Sequence, residues 1–466
     1  MNKSIVYLYF IAFSAAIGGF LFGFDTAVVS GTISFVTDKF QLNLIQEGWF
    51  VSSALVGCIL GALFAGEIAD RLGRKLTLTG TGILFLISAI GCALVETFTG
   101  LVVYRIIGGI GVGIASMVAP LYISEISPAY IRGRMVALYQ FAITIGILMA
   151  YLSNAFLLSL KENLHLKGFA HYIINEDVWR GMLGSESIPA LIFIIIIFFV
   201  PESPRWLLSK NKYEESLKVL TRISENNAKE EFKQIKNSLL HNSSKSLSDI
   251  MKPGVRTAVL VGVLLAIFSQ ITGINAIIYY GPRILEEAGF KIGDALGGQV
   301  IIGLVNAIFT IAAILTIDRL GRKRLMKSGV FFMMISLLAV SYLFYIGESN
   351  GIILLIFILI FIMAFAYGYG PVIWVLLSEI YPNRIRGKAM SIATLAIWLG
   401  TAFIGLIVPW MLKAFTPAGT FLFFALCCLP VFFILKKVPE TKGKSLEEIE
   451  SIWDEMQRTK KNPKEK

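Results

Sequence analysis

The chain has 466 residues, of which 56% are hydrophobic and only 16% charged. A soluble protein of this size needs a far more charged surface, so composition excludes a water-soluble globular enzyme or binding domain. The net charge of +11 raises a nucleic-acid reading that the placement of the charge then removes.

Twelve apolar runs, each near the ~20 residues that cross a hydrocarbon core as a helix, lie at roughly 8–32, 49–69, 76–95, 100–122, 135–158, 183–200, 257–280, 297–317, 327–346, 352–378, 389–412 and 419–437. The first is too long for a signal-peptide core and lacks an obvious small-residue cleavage site, so it reads as part of the mature chain. Most of the 42 Lys and Arg fall in alternate connecting segments, beginning with the N-terminal one. That asymmetry is the positive-inside pattern and places both termini in the cytoplasm. The basic surplus is therefore topology, with no nucleic-acid partner implied. Cys58, Cys92, Cys427 and Cys428 sit in apolar runs and read as small hydrophobes, and His165, His171 and His241 are scattered in loops. Neither a metal site nor a cofactor follows.

Within the first span, "GGFLFGFDTAVVSG" (18–31) carries a lone acid, Asp25, with no Lys or Arg close in sequence. A carboxylate near a bilayer centre costs roughly 2.5–3.5 kcal/mol even on mild insertion scales, so its presence asks for a function. Arg105, in "YRIIGGIGVG" (104–113), is the one basic residue placed well inside a span and is the expected partner. Glycines at 108, 109, 111 and 113 let neighbouring backbones come close. Glu186, near the start of the sixth span, is a second membrane carboxylate that can relay or tune a proton on Asp25. Burial alone raises the pKa of an aspartate and an arginine lowers it, so a changing Asp25–Arg105 distance converts motion into proton uptake and release.

The loops repeat. "DRLGRK" stands at 70–75 and again at 318–323; "SEISPAYIRG" (124–133) is answered by "SEIYPNRIRG" (378–387), and "PESPRW" (201–206) by "PETKGK" (439–444). Three pairs in one order at nearly one offset predict two parallel six-helix halves. The expected division is 1–200 and 255–438 for the halves, 201–254 for a charged linker with helical spacing at Leu217, Leu220, Ile223, Ile235 and Leu239, and 439–466 for a tail. In the tail, Ser445 and Glu448 read as a capping box before an apolar face of Leu446, Ile449, Trp453 and Met456. The loops also place acids beside bases (Asp70, Arg71, Arg74, Glu125, Arg132 and Glu202 in the first half; Asp318, Arg319, Arg322, Glu379, Arg386 and Glu440 in the second). Such clusters form ion pairs that lock helix ends in one conformation and break in another. Gly73 and Gly133 are expected to allow tight turns there.

In repeat transporters the substrate sits near the midplane at interrupted helices. "FSQITGINAIIYYGP" (268–282) puts Gln270, Asn275, Tyr279 and Tyr280 in an apolar helix with two interior glycines. Amides offer donors and acceptors together, which suits sugar hydroxyls, although Asn and Gln also serve as glue between membrane helices.

Taken together, the DRLGRK loops, the E-x6-R pairs Glu125/Arg132 and Glu379/Arg386, PESPRWL and PETKG resemble the sugar porter family of the major facilitator superfamily over nearly the whole chain. Within it the chain is most similar to the proton-coupled D-xylose branch and next to the glucose facilitators. The resemblance implies an all-α membrane protein of twelve helices, with sugar contacts from Gln140, Gln270, Asn275, Tyr279, Asn306 and Trp374, and with Phe22, Gly370 and Trp398 lining the pocket. Ser269, Ile147 and Ile397 replace amides of that pattern, so the pocket is expected to be less polar than in the relatives. The glucose facilitators carry a neutral residue where Asp25 stands, which favours proton coupling.

The leading expectation is a proton-coupled monosaccharide symporter of a bacterial inner membrane, working as a monomer. A facilitative uniporter with a structural Asp25 and a non-transporting sugar sensor remain open. No nucleophile–base pair or phosphate loop suggests an enzyme.

Overall fold

The computed structural model describes all residues except 1–2, 129–130, 224–227, 241–252, 348–350, 382–385, 443–447 and 449–466. Among the described residues all regular structure is helical. The reason is the solvent: hydrocarbon offers the backbone no hydrogen bonds, so each crossing segment must satisfy its own N–H and C=O groups. Twelve helical segments are long and apolar enough to span a membrane, from Ile5–Gly31 to Thr416–Lys437. The chain is an integral membrane protein.

The chain divides into two compact units, Met1–Ser243 and Ser244–Lys466. The first unit holds α1 (Lys3–Val28), α2 (Ile33–Phe40), α3 (Leu44–Leu72), α4 (Arg74–Leu94), α5 (Phe98–Ile126), α6 (Arg132–Asn163), α7 (Val178–Gly184), α8 (Ser187–Phe198), α9 (Pro204–Ser209), α10 (Tyr213–Ile223) and α11 (Ala228–Leu240). The second holds α12 (Pro253–Ile271), α13 (Ile274–Glu287), α14 (Ile292–Leu320), α15 (Arg322–Ile346), α16 (Gly351–Gly368), α17 (Gly370–Ile380), α18 (Arg386–Ala414), α19 (Thr416–Cys427) and α20 (Leu429–Lys437). The linker helices α9–α11 pack with the first unit, through α9 on α5 and α10 on α1. The capping box at Ser445 and the apolar face from Leu446 to Met456 lie outside the described residues.

Several spans are built from two pieces, each at an identifiable break. Gly273 adopts φ +93 between α12 and α13, and α17 and α20 each open with a proline in the first turn. Gly133 is not at a turn. It lies in the first turn of α6 with ordinary helical φ, so only Gly73 of the two expected turn glycines takes a positive φ.

In the first unit α3 packs against α5 at backbone contact distance. A Cβ on Gly109 would stand 1.9 Å from the Ala54 carbonyl oxygen, and one on Gly57 would stand 2.2 Å from the Ile106 carbonyl oxygen. Because the obstacle is backbone, no rotamer relieves it. Gly109→Val should therefore destabilise by ~1–3 kcal/mol or more through overpacking, read as a lower melting temperature in detergent. An unchanged melt would mean that α5 can shift without cost.

Candidate functional site

The centre of the first unit is ionic. Arg105 Nη1 donates to Asp25 Oδ1 at 2.8 Å and approaches the Asp25 carbonyl oxygen at 3.4 Å, with both side chains 2% exposed or less. The α5 glycines bring Arg105 there. Gly109 and Gly113 seat α5 on α3, and Gly108 leaves room for Ser88 of α4, which donates to the Tyr104 carbonyl oxygen at 2.8 Å. Glu186, between α7 and α8, is equally buried and lies near enough to interact with Asp25 and Arg105. Three atoms of this cluster stay unpaired: Asp25 Oδ2, Glu186 Oε1 and Arg105 Nε.

Phe22 on α1 and Gln140 on α6 are half-buried on two helices that pack together, and Ile147 is buried on α6. In the second unit the polar residues at the break gather around Gln270. Asn275 Nδ2 and Thr401 Oγ1 both donate to Gln270 Oε1, and Gln270 Nε2 donates to Ser269 Oγ at 2.7 Å. Ser269 thus supplies an acceptor to its neighbour. Tyr279, Asn306 and Trp398 are buried, while Asn275, Trp374 and Gly370 are half-buried.

Each unit carries a matching charge cluster at one set of its helix ends. Arg74 grips Glu125 with two hydrogen bonds of 2.9 Å and also reaches Asp70 at 3.1 Å. Glu202 accepts from the N–H groups of Arg74 (2.9 Å) and Lys75 (3.1 Å), capping α4, and Ser203 Oγ donates to Glu125 at 2.6 Å. Gly73 is required here, because a Cβ would stand 2.3 Å from a Glu202 carboxylate oxygen. Burial pushes the Glu202 carboxyl above the usual glutamate range, although the N–H groups of Ser203, Arg74 and Lys75 draw it partly back. The second unit repeats this pattern: Arg322 on Glu379 at 2.8 and 3.0 Å, Glu440 on the N–H groups of Arg322 and Lys323 at 3.1 Å each, and Thr441 donating to Glu379. Arg71 pairs instead with Glu67, and Arg132 bonds the Ser127 carbonyl oxygen at 3.3 Å. The Arg319 carbonyl oxygen accepts from Lys442, and the side chains of Asp318 and Arg386 lie outside the described residues.

Comparison with known proteins agrees with this architecture. The family model for "Sugar (and other) transporter" matches residues 11–453. The arabinose-proton symporter of Bacillus subtilis is 41% identical over 454 residues, covering 97% of this chain and 96% of that protein. The chain belongs to the sugar transporter family. The D-xylose-proton symporter of Escherichia coli is 40% identical, covering 96% of each chain. The partially occluded, inward-open structure of the xylose transporter XylE from E. coli matches with a TM-score of 0.82 at 38% identity, over 94% of this chain and all of that one.

This sugar transporter also holds a cluster at the opposite helix ends that the sequence did not reveal. Asp177 takes hydrogen bonds from Lys39 (2.9 Å) and Arg180 (3.1 Å), and Arg180 also donates to the carbonyl oxygens of Ala93 (3.1 Å) and Val95 (2.6 Å). Its guanidinium lies 4.6 Å from the Trp179 ring centre and 4.7 Å from that of Tyr172. Arg180 escapes a hydropathy reading because it stands just before the apolar run. Thr401 was missed too, and its signal is position: one helical turn after Trp398.

Burial pushes the Asp177 carboxyl up, but Lys39 and Arg180 together outweigh it and hold the group below its usual range. A depressed folded pKa stabilises above the unfolded value and is lost as pH falls through the folded one. The melting temperature should thus drop as pH falls from about 5 past the ordinary aspartate value near 3.9, and the drop should be shallower in Asp177→Asn. Identical slopes for the two proteins would remove Asp177 from that response.

Proposed function

We propose that this chain imports a monosaccharide, a pentose or a hexose, together with a proton by alternating access, from a bacterial inner membrane with both termini in the cytoplasm. Proton-coupled sugar symport is the function of the relatives just described, and the observation that carries it here is the Asp25–Arg105–Glu186 centre. A static ion pair needs every polar atom satisfied, since a buried pair seldom gains stability on net. This one keeps a free oxygen on each carboxyl, so it can accept a proton without losing an existing bond. Asp25 carries the coupled proton, Arg105 sets how readily it leaves, and Glu186 shares it.

Sugar contacts come from Gln140, Gln270, Asn275, Tyr279, Asn306 and Trp374, with Phe22, Gly370 and Trp398 as apolar walls. Support lies in the chemistry of the Gln270 cluster. Asn275 and Gln270 form a donor–acceptor pair at a helix break, and sugar hydroxyls can exchange with it one bond for another. Asp70, Arg74, Glu125 and Glu202, with Arg322, Glu379 and Glu440, lock their helix ends in this conformation.

Two tests bear on these roles. Asp25→Asn keeps size and hydrogen bonding but cannot titrate, so uptake driven by a pH gradient should vanish while sugar counterflow in the same vesicles persists. Leaving Arg105 unpaired costs perhaps 3–5 kcal/mol, so folding is checked first by size-exclusion chromatography. Concentrative uptake by the variant would put the proton elsewhere, and counterflow without any pH-driven accumulation in the unsubstituted protein would favour uniport. Separately, Asn275→Ala and Gln270→Ala should each weaken sugar binding by about 0.5–1.5 kcal/mol per lost bond in a folded protein. Normal binding by both would make these amides interhelical glue.

A further inference from the structure

Helix α13 carries Asn275 and Tyr279 near its start and a flaw in its middle. Pro282 lies inside it and has no N–H, so the helical bond that residue 282 would give the Ile278 carbonyl oxygen cannot form. In hydrocarbon that carbonyl cannot turn to water. Gln299 of α14 meets the flaw: its Nε2 donates to the carbonyl oxygens of Ile277 and Ile278, at 3.2 Å each. The side chain is 1% exposed. Gly281 makes the approach possible, because a Cβ there would stand 2.0 Å from Gln299 Oε1. Glycine, proline and glutamine therefore act as one unit, in which a side-chain amide on a neighbouring helix replaces a missing backbone donor.

We infer that Gln299 is a positioning residue for sugar binding: by bridging the proline break it fixes the turn of α13 that presents Asn275 and Tyr279. Two flaws bound this turn, the Gly273 break before it and Pro282 after it. Gln299 Oε1 is itself buried without a donor. The site keeps that unpaired oxygen for the sake of the two bonds made by the nitrogen, which packing alone would not require. This inference rests on the reading that Asn275 and Tyr279 touch sugar.

The test is a double-mutant cycle on the full-length transporter in proteoliposomes, with D-xylose and D-glucose counterflow as probes. Gln299→Leu should raise the half-saturation concentration roughly 5- to 30-fold, with a smaller change in maximal rate. In a Pro282→Ala background residue 282 regains its N–H, so the same Gln299→Leu change should then matter no more than about twofold. A merely structural glutamine would give equal losses in both backgrounds, and that result overturns the inference. Should Gln299→Leu fail to fold alone, the cycle is read as Pro282→Ala against the double variant. Failure of the double variant to fold also overturns it. Asn275→Ala, run in parallel, separates the two readings. If it leaves half-saturation unchanged the sugar site is misplaced, whereas a loss there with none in Gln299→Leu defeats the positioning role alone.

Discussion

Hydrocarbon offers a chain no hydrogen bonds, and most of this structure follows from that constraint. Unbroken helices meet it automatically, so every interruption needs a substitute. At the cytoplasm-proposed ends, Glu202 and Glu440 supply carboxylate acceptors to the first N–H groups of α4 and α15. Inside the second unit, Tyr280 donates to the Gly405 carbonyl oxygen at 2.6 Å and Tyr369, at the break between α16 and α17, donates to that of Leu265 at 3.0 Å. Gln299 covers Pro282. Several polar residues of the spans thus maintain the backbone, a role read from bond partners rather than residue types.

The two kinds of ion pair in the first unit show the same division. Glu125 is saturated: both oxygens take a bond from Arg74, and Ser203 adds a third. A bidentate pair of this kind is fixed in geometry. Such a pair works as a latch, made or broken whole. Asp25 is the reverse. Arg105 engages one carboxylate oxygen, and the other is buried without a hydrogen-bond partner. Such an incomplete pair is less favourable as architecture than the saturated one.

Much of this was legible in the sequence because it depends on composition and period. Span number follows from apolar length, and the two units from three repeated loops. The pairing of Asp25 with Arg105 followed from scarcity, since isolated charges in lipid must find each other. What stayed hidden depends on contacts across the fold. The E-x6-R motif suggests that Glu125 serves Arg132, yet the glutamate turns to Arg74 of the other motif. Gly133 resembles Gly73 in its basic loop, but only Gly73 meets a carboxylate at the distance where a Cβ is impossible. Arg180 and Thr401 are ordinary residues made important by neighbours. Gln299 had a readable signal after all: a proline within a span leaves a carbonyl that some neighbouring donor must serve.

Comparing the repeated halves shows which features both units retain. The latch is present twice with the same bonds, down to a hydroxyl from Ser203 in one unit and Thr441 in the other. The centres have diverged. The segment "GFDTAVV" (23–29) corresponds to "GINAIIY" (273–279), and its leading glycine has two different uses. Gly23 continues α1 and lets it touch α6, where a Cβ would stand 2.0 Å from the Ile143 carbonyl oxygen. Gly273 takes φ +93 and ends α12. Two positions later stand Asp25 and Asn275, an acid on a continuous helix and an amide beside a break. The continuous helix holds Asp25 against Arg105, whereas Asn275, beside the break, bonds to Gln270. The corresponding position therefore differs between the halves in backbone context as much as in side chain.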